Sequence, residues 1–279
     1  MAIRNSSTSP VNVAALQMRS GSDLQQNLAT ADAMLGDAAA RKCRLAVLPE
    51  NFAFVGAADA DKLAHAEMEG SGPIQAFLSD AAKRHDLCII AGSLPLKSGQ
   101  ADRCYGASMV FDSRGVMQGC YRKMHLFDVD LPDRNERYRE SASMAHGEQP
   151  VVVDTVIGKV GLSICYDVRF PELYRQLVDE GATVLSVPAA FTKVTGAAHW
   201  EVLLRARAIE NLAYVIAPGQ QGLHPNGRET FGHSMIIDPW GRIIAQQTSG
   251  QAVVVAELDP AVPARLRREF PALQHRRLK

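Results

Sequence analysis

Three reactive side chains each follow an apolar segment of this sequence. Glu50 comes directly after residues 45–49, Lys123 follows residues 120–122, and Cys165 follows residues 161–164. A cysteine can act as a nucleophile, and a glutamate in a cleft can act as its general base. A lysine beside them can stabilise the negative oxygen of a tetrahedral intermediate. Because ligands of α/β proteins bind at the carboxyl ends of strands, these three groups could converge in one cleft.

Each of the three residues also has an ordinary structural interpretation. A cysteine that ends an apolar strand is usually a packed small side chain, and Glu50 and Lys123 could belong to solvated loops. The polar residues 166–169 favour a reactive Cys165, since they begin a predicted helix whose N-terminal N–H groups favour a thiolate and an oxyanion. Partial burial of Glu50 would raise its pKa toward the working range.

A Cys–His pair is a second form of cysteine chemistry that the sequence allows. Either His125 or His233 could partner Cys165 in the manner of papain-like or glutaminase sites. His125 lies two residues from Lys123, however, and His233 begins a predicted strand, where a structural role is more common. Glycines do not flank Cys165 as they would in a nucleophile elbow.

The elements that must position these residues alternate between short β-branched segments and longer helical patterns. Strands are predicted at 11–18, 45–48, 87–92, 107–112, 151–156, 160–165, 183–187, 213–217, 233–238 and 253–258, and helices at 24–41, 74–85, 171–180 and 197–211. Short turns join successive strands within 87–121 and 231–258, which indicates hairpins. We therefore expect one α/β domain with a mixed sheet, or two sheets with helices outside them.

The composition is that of a globular protein. The chain has 279 residues, 47% of them hydrophobic, and 30 Lys+Arg balance 30 Asp+Glu. This balance argues against binding to nucleic acid or to an anionic membrane surface. No segment approaches the roughly 18 apolar residues of a spanning helix, and the polar residues 1–10 do not resemble a signal peptide. We expect a cytoplasmic protein without a nucleic-acid or membrane partner.

The cysteines are too widely spaced for a zinc site. They are Cys43, Cys88, Cys104, Cys120 and Cys165, and no C-x-x-C or H-x-x-x-H motif occurs. We expect reduced thiols, with neither a structural disulfide nor a structural metal.

Together and in this chain order, the three reactive segments resemble the nitrilase, or carbon–nitrogen hydrolase, superfamily, whose catalytic set is Glu–Lys–Cys. The matching segments are residues 48–50, 121–127 and 161–173. The resemblance implies that Glu50 is the general base, Lys123 stabilises the oxyanion, and Cys165 is the nucleophile.

The resemblance implies further site residues and no metal or organic cofactor. Glu140 is similar to a second glutamate that helps to position the lysine and the substrate, with Glu136 as a nearby alternative. A backbone N–H near Tyr166 would complete the oxyanion site.

The implied fold is a four-layer α-β-β-α sandwich of the nitrilase type. Residues 10–260 would form the carbon–nitrogen hydrolase domain, and 261–279 a C-terminal tail that is part of the dimer. Members of the superfamily commonly form homodimers through helices that correspond here to 169–180 and 199–211.

Within the superfamily, three segments look like the deaminated glutathione amidase branch. They are residues 199–210, 231–241 and 274–277, whereas Gln221 stands where that branch usually has a cysteine. The implied activity is hydrolysis of a terminal carboxamide of a small molecule to an acid and ammonia, through a cysteine thioester. Alternatives are an ω-amidase acting on 2-oxo acid amides such as α-ketoglutaramate, and a carbamoylase or nitrilase. A non-catalytic binding module would not need the three reactive residues.

Specificity is expected in the loops 128–139 and 219–228. Arg169, Arg205 and Arg207 could bind a substrate carboxylate, or they could form ion pairs at a dimer interface.

Overall fold

Two mixed β-sheets lie face to face, and helices cover the outer side of each sheet. The computed structural model describes residues 9–131 and 136–278. The strands are β1 (Val11–Gln17), β2 (Cys43–Val47), β3 (Cys88–Ile90), β4 (Leu94–Lys97), β5 (Cys104–Phe111), β6 (Met117–Arg122), β7 (Asp128–Leu131), β8 (Glu136–Arg139), β9 (Met144–Ala145), β10 (Val152–Thr155), β11 (Gly158–Leu162), β12 (Val184–Ser186), β13 (Tyr214–Ala217), β14 (Gln221–Leu223), β15 (Glu229–Phe231), β16 (Ser234–Ile237), β17 (Ile243–Gln247) and β18 (Ala252–Leu258).

The helices fall between the strands and at the C-terminal end. They are α1 (Leu24–Ala40), α2 (Pro73–His85), α3 (Pro171–Asp179), α4 (Lys193–Thr195), α5 (Glu201–Asn211) and α6 (Ala261–Glu269). A π-helical turn, Gly196–Trp200, joins α4 to α5, and short 3₁₀ helices occupy Asp59–His65, Glu140–Ala142, Cys165–Arg169 and Ala272–His275. Within the residues described, no helix is both long and apolar enough to cross a membrane.

The first sheet has the strand order β18-β1-β2-β3-β5-β4, and β6 and β9 also pair with β5. Strands β1, β2 and β3 are parallel, while β18 and β5 join them antiparallel. The second sheet has the order β10-β11-β12-β13-β16-β17, with a parallel centre formed by β11, β12 and β13. Two separate hairpins, β7-β8 and β14-β15, lie outside these sheets.

Successive side chains of β1 point to opposite faces of the first sheet, and both faces are covered. Val13 and Ala15 belong to the core between the sheets, whereas Ala14 and Leu16 pack in the core beneath α1 and α2. Both faces are therefore apolar, and the strand reads as a continuous hydrophobic segment. Helices α3 and α5 cover the other sheet, so the predicted α-β-β-α sandwich is confirmed.

Each of the ten predicted strands and four predicted helices overlaps an observed element, but α6 was not predicted. Pro263 lies in its first turn, where proline is tolerated, and the helix is short and strongly charged, so it shows little apolar periodicity. In the structure Pro263 is buried, and the Arg267 guanidinium donates hydrogen bonds to the carbonyls of Ala182 and Asn211 at 2.8 and 3.1 Å. The segment 261–278 thus packs on the helical side of the second sheet.

The loop that carries Glu50 packs closely against Gly92. A Cβ atom at Gly92 would lie 2.1 Å from the Pro49 carbonyl oxygen and 2.3 Å from that of Leu48. Gly92 also has a φ of +61°, which disfavours other residues. The next residue, Ser93, accepts a hydrogen bond from the backbone N–H of Asn51 at 2.8 Å. The Glu50 loop can therefore take this position only because residue 92 is a glycine.

We predict that Gly92→Ala destabilises the protein much more than Gly99→Ala. Both glycines have a positive φ, 61° and 85°, but a Cβ at Gly99 meets nothing within 4 Å. An alanine in a left-handed backbone conformation alone lowers the free energy of unfolding by about 1–2 kcal/mol. Any larger loss in Gly92→Ala than in Gly99→Ala therefore measures the clash with backbone atoms, which no rotamer change can relieve. Urea unfolding of both variants tests this. Equal losses would show that the close approach is relieved without cost.

Candidate active site

Three strand ends bring the predicted reactive residues together. Glu50 follows β2 of the first sheet, Lys123 directly follows β6 of the same sheet, and Cys165 follows β11 of the second sheet. The backbone of Lys123 is held on both sides, because its N–H donates to the Gly106 carbonyl and its carbonyl accepts from the Gly147 N–H, each at 2.8 Å.

The Lys123 ammonium is buried between two carboxylates. Its Nζ lies 2.8 Å from Glu50 Oε1, 2.8 Å from Glu140 Oε1 and 2.9 Å from Glu140 Oε2, and the residue is only 2% exposed. Burial lowers the pKa of Lys123, but the negative charges of Glu140 and Glu50 outweigh burial and raise it well above its ordinary value. The lysine therefore stays charged.

Glu50 contacts three groups of the site at once. Its Oε1 accepts from Lys123, its Oε2 accepts from the Ala190 N–H at 2.8 Å, and its carboxylate interacts with the Cys165 thiol. Burial raises the pKa of Glu50, but the positive charge of Lys123 and the hydrogen bonds to the carboxylate lower it below the ordinary value. The expectation of a raised pKa was therefore wrong, because burial comes together with a buried cation.

Cys165 sits at a sharp turn between β11 and a 3₁₀ helix. Its φ is +50°, and its N–H donates to the Pro188 carbonyl at 2.8 Å. Burial, and next the charge of Glu50, raise the pKa of the thiol well above its ordinary value despite the nearby Lys123. The raised pKa favours the protonated thiol in the resting site, so the helix N-terminus does not by itself make this group a thiolate. The turn itself escaped prediction because neither neighbour of Cys165 is a glycine.

The two additional predicted site residues also reach this cluster. Glu140 holds the Lys123 ammonium and accepts a hydrogen bond from the Phe127 N–H at 2.6 Å. Tyr166 lines the same pocket, with its ring edge-on to Phe127 at 5.0 Å. The side chain of Glu136, the alternative to Glu140, lies outside the described part of the structure.

A buried carboxylate that the sequence did not single out joins the lysine segment to the cysteine turn. Asp167 is fully buried, and its Oδ2 accepts from the Tyr121 hydroxyl and from the Ile164 N–H, both at 2.8 Å. Its Oδ1 lies 2.7 Å from His125 Nδ1 and accepts from the His125 N–H at 3.1 Å. These contacts hold the residues that precede and follow Lys123 against the turn at Cys165.

Neither histidine proposed as a partner of Cys165 lines the pocket. His125 is bound to Asp167 and stacks on Phe170 at 3.7 Å, and His233 stacks on Phe231 at 3.9 Å. The structure therefore brings Glu50 and Lys123 to the thiol instead of an imidazole.

The cluster opens into a pocket of about 970 Å³, part of which is solvent at its mouth. Residues 138 and 139 of the β7-β8 hairpin and residues 220, 224, 226 and 228–230 around the β14-β15 hairpin contribute to its wall, so parts of both loops predicted to set specificity reach the pocket. Gln220 lines the pocket, but Gln221 is not among the lining residues. The departure at Gln221 is therefore not in direct contact with this space.

The three arginines considered as carboxylate ligands differ in whether they line the pocket. Arg169 lines the pocket. Arg205 instead binds the Gly241 carbonyl at 2.9 Å and Glu201 at 3.3 Å, and Arg207 binds the Val168 carbonyl at 3.0 Å. Of the three, only Arg169 is among the residues that line the pocket.

The cysteines and potential metal ligands complete the description of the site. All five cysteines are free thiols. Among residues 9–131 and 136–278, no three His, Cys, Asp or Glu side chains are grouped to hold a metal ion.

Comparison with known proteins agrees with this geometry. The family described as "Carbon-nitrogen hydrolase" matches residues 12–268. The chain is 46% identical to a deaminated glutathione amidase of Synechocystis sp., over 96% of this chain and 98% of that protein. The structure of the C. elegans NitFhit protein superposes with a TM-score of 0.90 at 40% identity, over 97% of this chain and 66% of that one.

A more distant structure covers the whole chain. Saccharomyces cerevisiae Nit3, described as a member of branch 10 of the nitrilase superfamily, superposes with a TM-score of 0.87 at 30% identity, over 99% of this chain and 100% of that one. The chain therefore belongs to the carbon–nitrogen hydrolase family of the nitrilase superfamily and is a carbon–nitrogen hydrolase.

Proposed function

We propose that this enzyme is an amidase that hydrolyses deaminated glutathione through a thioester on Cys165. The observation that carries the proposal is the contact of Glu50 with both Lys123 and the Cys165 thiol in a pocket open to solvent. The substrate is suggested by the relatives named deaminated glutathione amidase, which are 46% and 42% identical to this chain.

In the acylation step, Glu50 accepts the proton of the Cys165 thiol while the sulfur attacks the amide carbonyl carbon. The carbonyl π electrons move to oxygen, which gives a tetrahedral oxyanion. Collapse of this intermediate expels the amine, which takes the proton from Glu50, and leaves a thioester. Because the pKa of the thiol is raised and that of Glu50 is lowered, proton transfer is unfavourable in the empty site. It proceeds as the sulfur–carbon bond forms.

Lys123 has three N–H donors, and the two glutamates need only two of them. In the resting site the ammonium lies within hydrogen-bond distance of three carboxylate oxygens, two of which belong to Glu140. Loss of one Glu140 contact frees a donor for the oxyanion. The backbone N–H near Tyr166, at the start of the 3₁₀ helix Cys165–Arg169, supplies a second donor. Lys123 thus stabilises the charge without leaving the carboxylates.

In the deacylation step, Glu50 accepts a proton from water as the water oxygen attacks the thioester carbon. The second tetrahedral intermediate expels the sulfur, which regains a proton from Glu50. One water is consumed, and the thiol and the carboxylate return to their starting states.

The leaving group of deaminated glutathione corrects the expected release of ammonia. Glutathione is γ-glutamylcysteinylglycine, and when an oxo group replaces its amino group the acyl part becomes a 2-oxoglutaryl group. The scissile amide nitrogen belongs to cysteine, so the released amine is cysteinylglycine. Ammonia is released only from a primary amide such as α-ketoglutaramate, which has the same acyl group. The two candidate substrates therefore share the acyl group and differ only in the leaving group, so comparing them shows which leaving group the pocket accepts.

We further propose a cytoplasmic homodimer. All five cysteines are free thiols, which fits a reducing compartment. On α5, Ile209 is 49% exposed, and a Cβ at the adjacent Gly241 would lie 2.4 Å from it. Trp240 and Phe270 extend this apolar surface, with ring centroids 5.9 Å apart and each about half exposed. We propose that α3, α5 and the tail 261–279 form the interface, although Lys279 lies outside the described residues.

The catalytic assignment predicts that Cys165→Ala, Glu50→Gln and Lys123→Met each lower kcat for deaminated glutathione by at least about a thousandfold. His233→Ala is the control and keeps most of the activity, because His233 does not line the pocket. Two activities are measured in parallel: release of cysteinylglycine from deaminated glutathione, and release of ammonia from α-ketoglutaramate. Activity that survives Lys123→Met but not His233→Ala would instead indicate a Cys–His site. Activity on α-ketoglutaramate alone would keep the mechanism and change the substrate.

The ionisation of Glu50 predicts how stability depends on pH. Its folded-state pKa lies below the ordinary value of 4.5, so its charged form stabilises the fold above that pH. This contribution is lost as the pH falls through the folded-state pKa. We expect Glu50→Gln to lower the free energy of unfolding by about 1–3 kcal/mol at pH 7. Below pH 4.5 we expect this difference between variant and wild type to shrink progressively. Urea unfolding of both proteins from pH 7 to pH 3.5 measures this, and a difference that stays constant would contradict it.

The dimer proposal predicts that Ile209→Glu yields monomers. A buried carboxylate at the centre of the interface would have no partner. Val116→Glu is the matched control, since Val116 is 50% exposed but lies in the β5-β6 turn, away from α5. Sedimentation velocity distinguishes the species. A wild-type monomer, or a dimer that persists in Ile209→Glu, would reject this interface.

A further inference from the structure

Besides Lys123, which Glu50 and Glu140 neutralise, four lysine or arginine side chains line the pocket, namely Lys62, Arg139, Arg169 and Arg228. A substrate carboxylate needs a cation that is not already neutralised by the protein. The hydrogen bonds of each cation therefore decide which of them is available.

Arg228 and Arg139 are paired with carboxylates of the protein. Arg228 makes a two-pronged contact with Asp59, with both N–O distances 2.9 Å. Arg139 lies 2.8 Å from Asp130 Oδ1 and 2.6 Å from Oδ2. Their charges are compensated, so they shape the wall more than they attract an anion.

Arg169 has no carboxylate partner among the described residues, but aromatic rings hold its guanidinium. It donates to His199 Nδ1 at 3.3 Å and lies 5.2 Å from the centroid of Phe191 and 5.7 Å from that of Tyr166. These contacts fix the group in place beside the cysteine helix.

Lys62 differs from the other three because it has neither an ion pair nor a hydrogen-bonded acceptor for its ammonium among the described residues. The acids of its own 3₁₀ helix, Asp59–His65, are already engaged. Asp59 binds Arg228, and Asp61 accepts from the Ala58 N–H at 2.9 Å. Lys62 is therefore an uncompensated charge at the wall of an otherwise largely neutralised pocket.

The position of Lys62 suits one end of the substrate. Lys62 lines the same pocket as Cys165 and Glu50, and its charge contributes to the lowered pKa of Glu50. In a 2-oxoglutaryl group the carboxylate carbon is four bonds from the carbon attacked by sulfur, a span of roughly 5 Å. A carboxylate at that distance can meet a cation on the pocket wall while the carbonyl stays at the thiol.

We propose that Lys62 binds the carboxylate of the acyl group and makes the enzyme selective for amides whose acyl part carries a terminal carboxylate. This inference rests on the proposed function only in that the acyl group is attached to Cys165. It assigns to Lys62 a specificity role: the ammonium attracts and orients the substrate and takes no part in proton transfer.

The first test measures ligand binding without turnover. Glutarate and pentane-1,5-diol have the same chain length, but only glutarate carries a carboxylate that can pair with Lys62. We expect glutarate to protect Cys165 from iodoacetamide at roughly ten- to hundredfold lower concentration than pentane-1,5-diol in the wild type and in Lys62→Arg. In Lys62→Met this preference is lost, while the remote surface variant Lys159→Met retains it. Mass spectrometry of the Cys165 peptide measures the protection.

Two results of this test would overturn the inference. One is equal protection by glutarate and by pentane-1,5-diol in the wild type. The other is a glutarate preference that survives Lys62→Met, in particular one that disappears in Arg169→Met, because Arg169 would then be the carboxylate ligand.

The second test uses turnover of deaminated glutathione and of its analogue with an amidated glycine carboxylate. Lys62→Met is expected to raise KM for both by the same ten- to hundredfold factor, with kcat changed much less. An effect confined to the substrate with a free glycine carboxylate would assign Lys62 to the leaving group and reject the acyl assignment. Glutarate protection that depends on Lys62, in an enzyme that does not hydrolyse deaminated glutathione, would retain this inference and reject the proposed function.

Discussion

The buried ammonium of Lys123 is the constraint on which the rest of the site depends. A buried cation is unfavourable unless carboxylates and hydrogen bonds replace its water, and Glu50 and Glu140 do so at 2.8 Å. The three charges can therefore be buried only as a set. The two carboxylates come from segments far apart in the chain, the loop after β2 and the turn after β8. Strand order, the absence of a side chain at Gly92 and the Glu140–Phe127 hydrogen bond all serve to bring those segments to one lysine.

The same set of charges shifts the pKa values of two neighbouring groups, the Glu50 carboxyl and the Cys165 thiol, in opposite directions. Burial acts on both Glu50 and Cys165, but the net pKa shifts have opposite directions. Lys123 and the Ala190 N–H stabilise the carboxylate, whereas the negative charge of that carboxylate opposes a thiolate beside it. The site thus places an ionised carboxylate beside a protonated thiol at neutral pH, which is the pairing that the proposed transfer of a proton during attack requires. A metal or a histidine is not needed to create this difference.

The sequence predicted the parts of the site that lie next to strands, and it missed the parts that depend on tertiary contacts. Glu50 and Cys165 follow segments that were predicted as strands, and Lys123 follows the predicted hairpin region 87–121, so a common location could be expected. The hairpin signals indicated a mixed sheet or two sheets with outer helices, and the resemblance to the nitrilase superfamily implied the four-layer sandwich. The direction of the Glu50 pKa could not be derived, because it depends on how closely Lys123 approaches. The role of Asp167 was also hidden, since its partners Tyr121 and His125 are more than 40 positions away along the chain.

The left-handed backbone at Cys165 illustrates why such features escape sequence reasoning. A positive φ at a residue other than glycine costs about 1–2 kcal/mol, so it persists only where the surrounding structure holds it. Here the Cys165 N–H binds the Pro188 carbonyl at the end of β12, and Asp167 accepts the Ile164 N–H one residue earlier. The first contact crosses to another strand end, the second caps the 3₁₀ helix locally, and Asp167 also holds the segment that carries Lys123. The same buried carboxylate therefore stabilises the turn that presents the thiol and aligns the cation with it, so that thiol and lysine cannot shift independently.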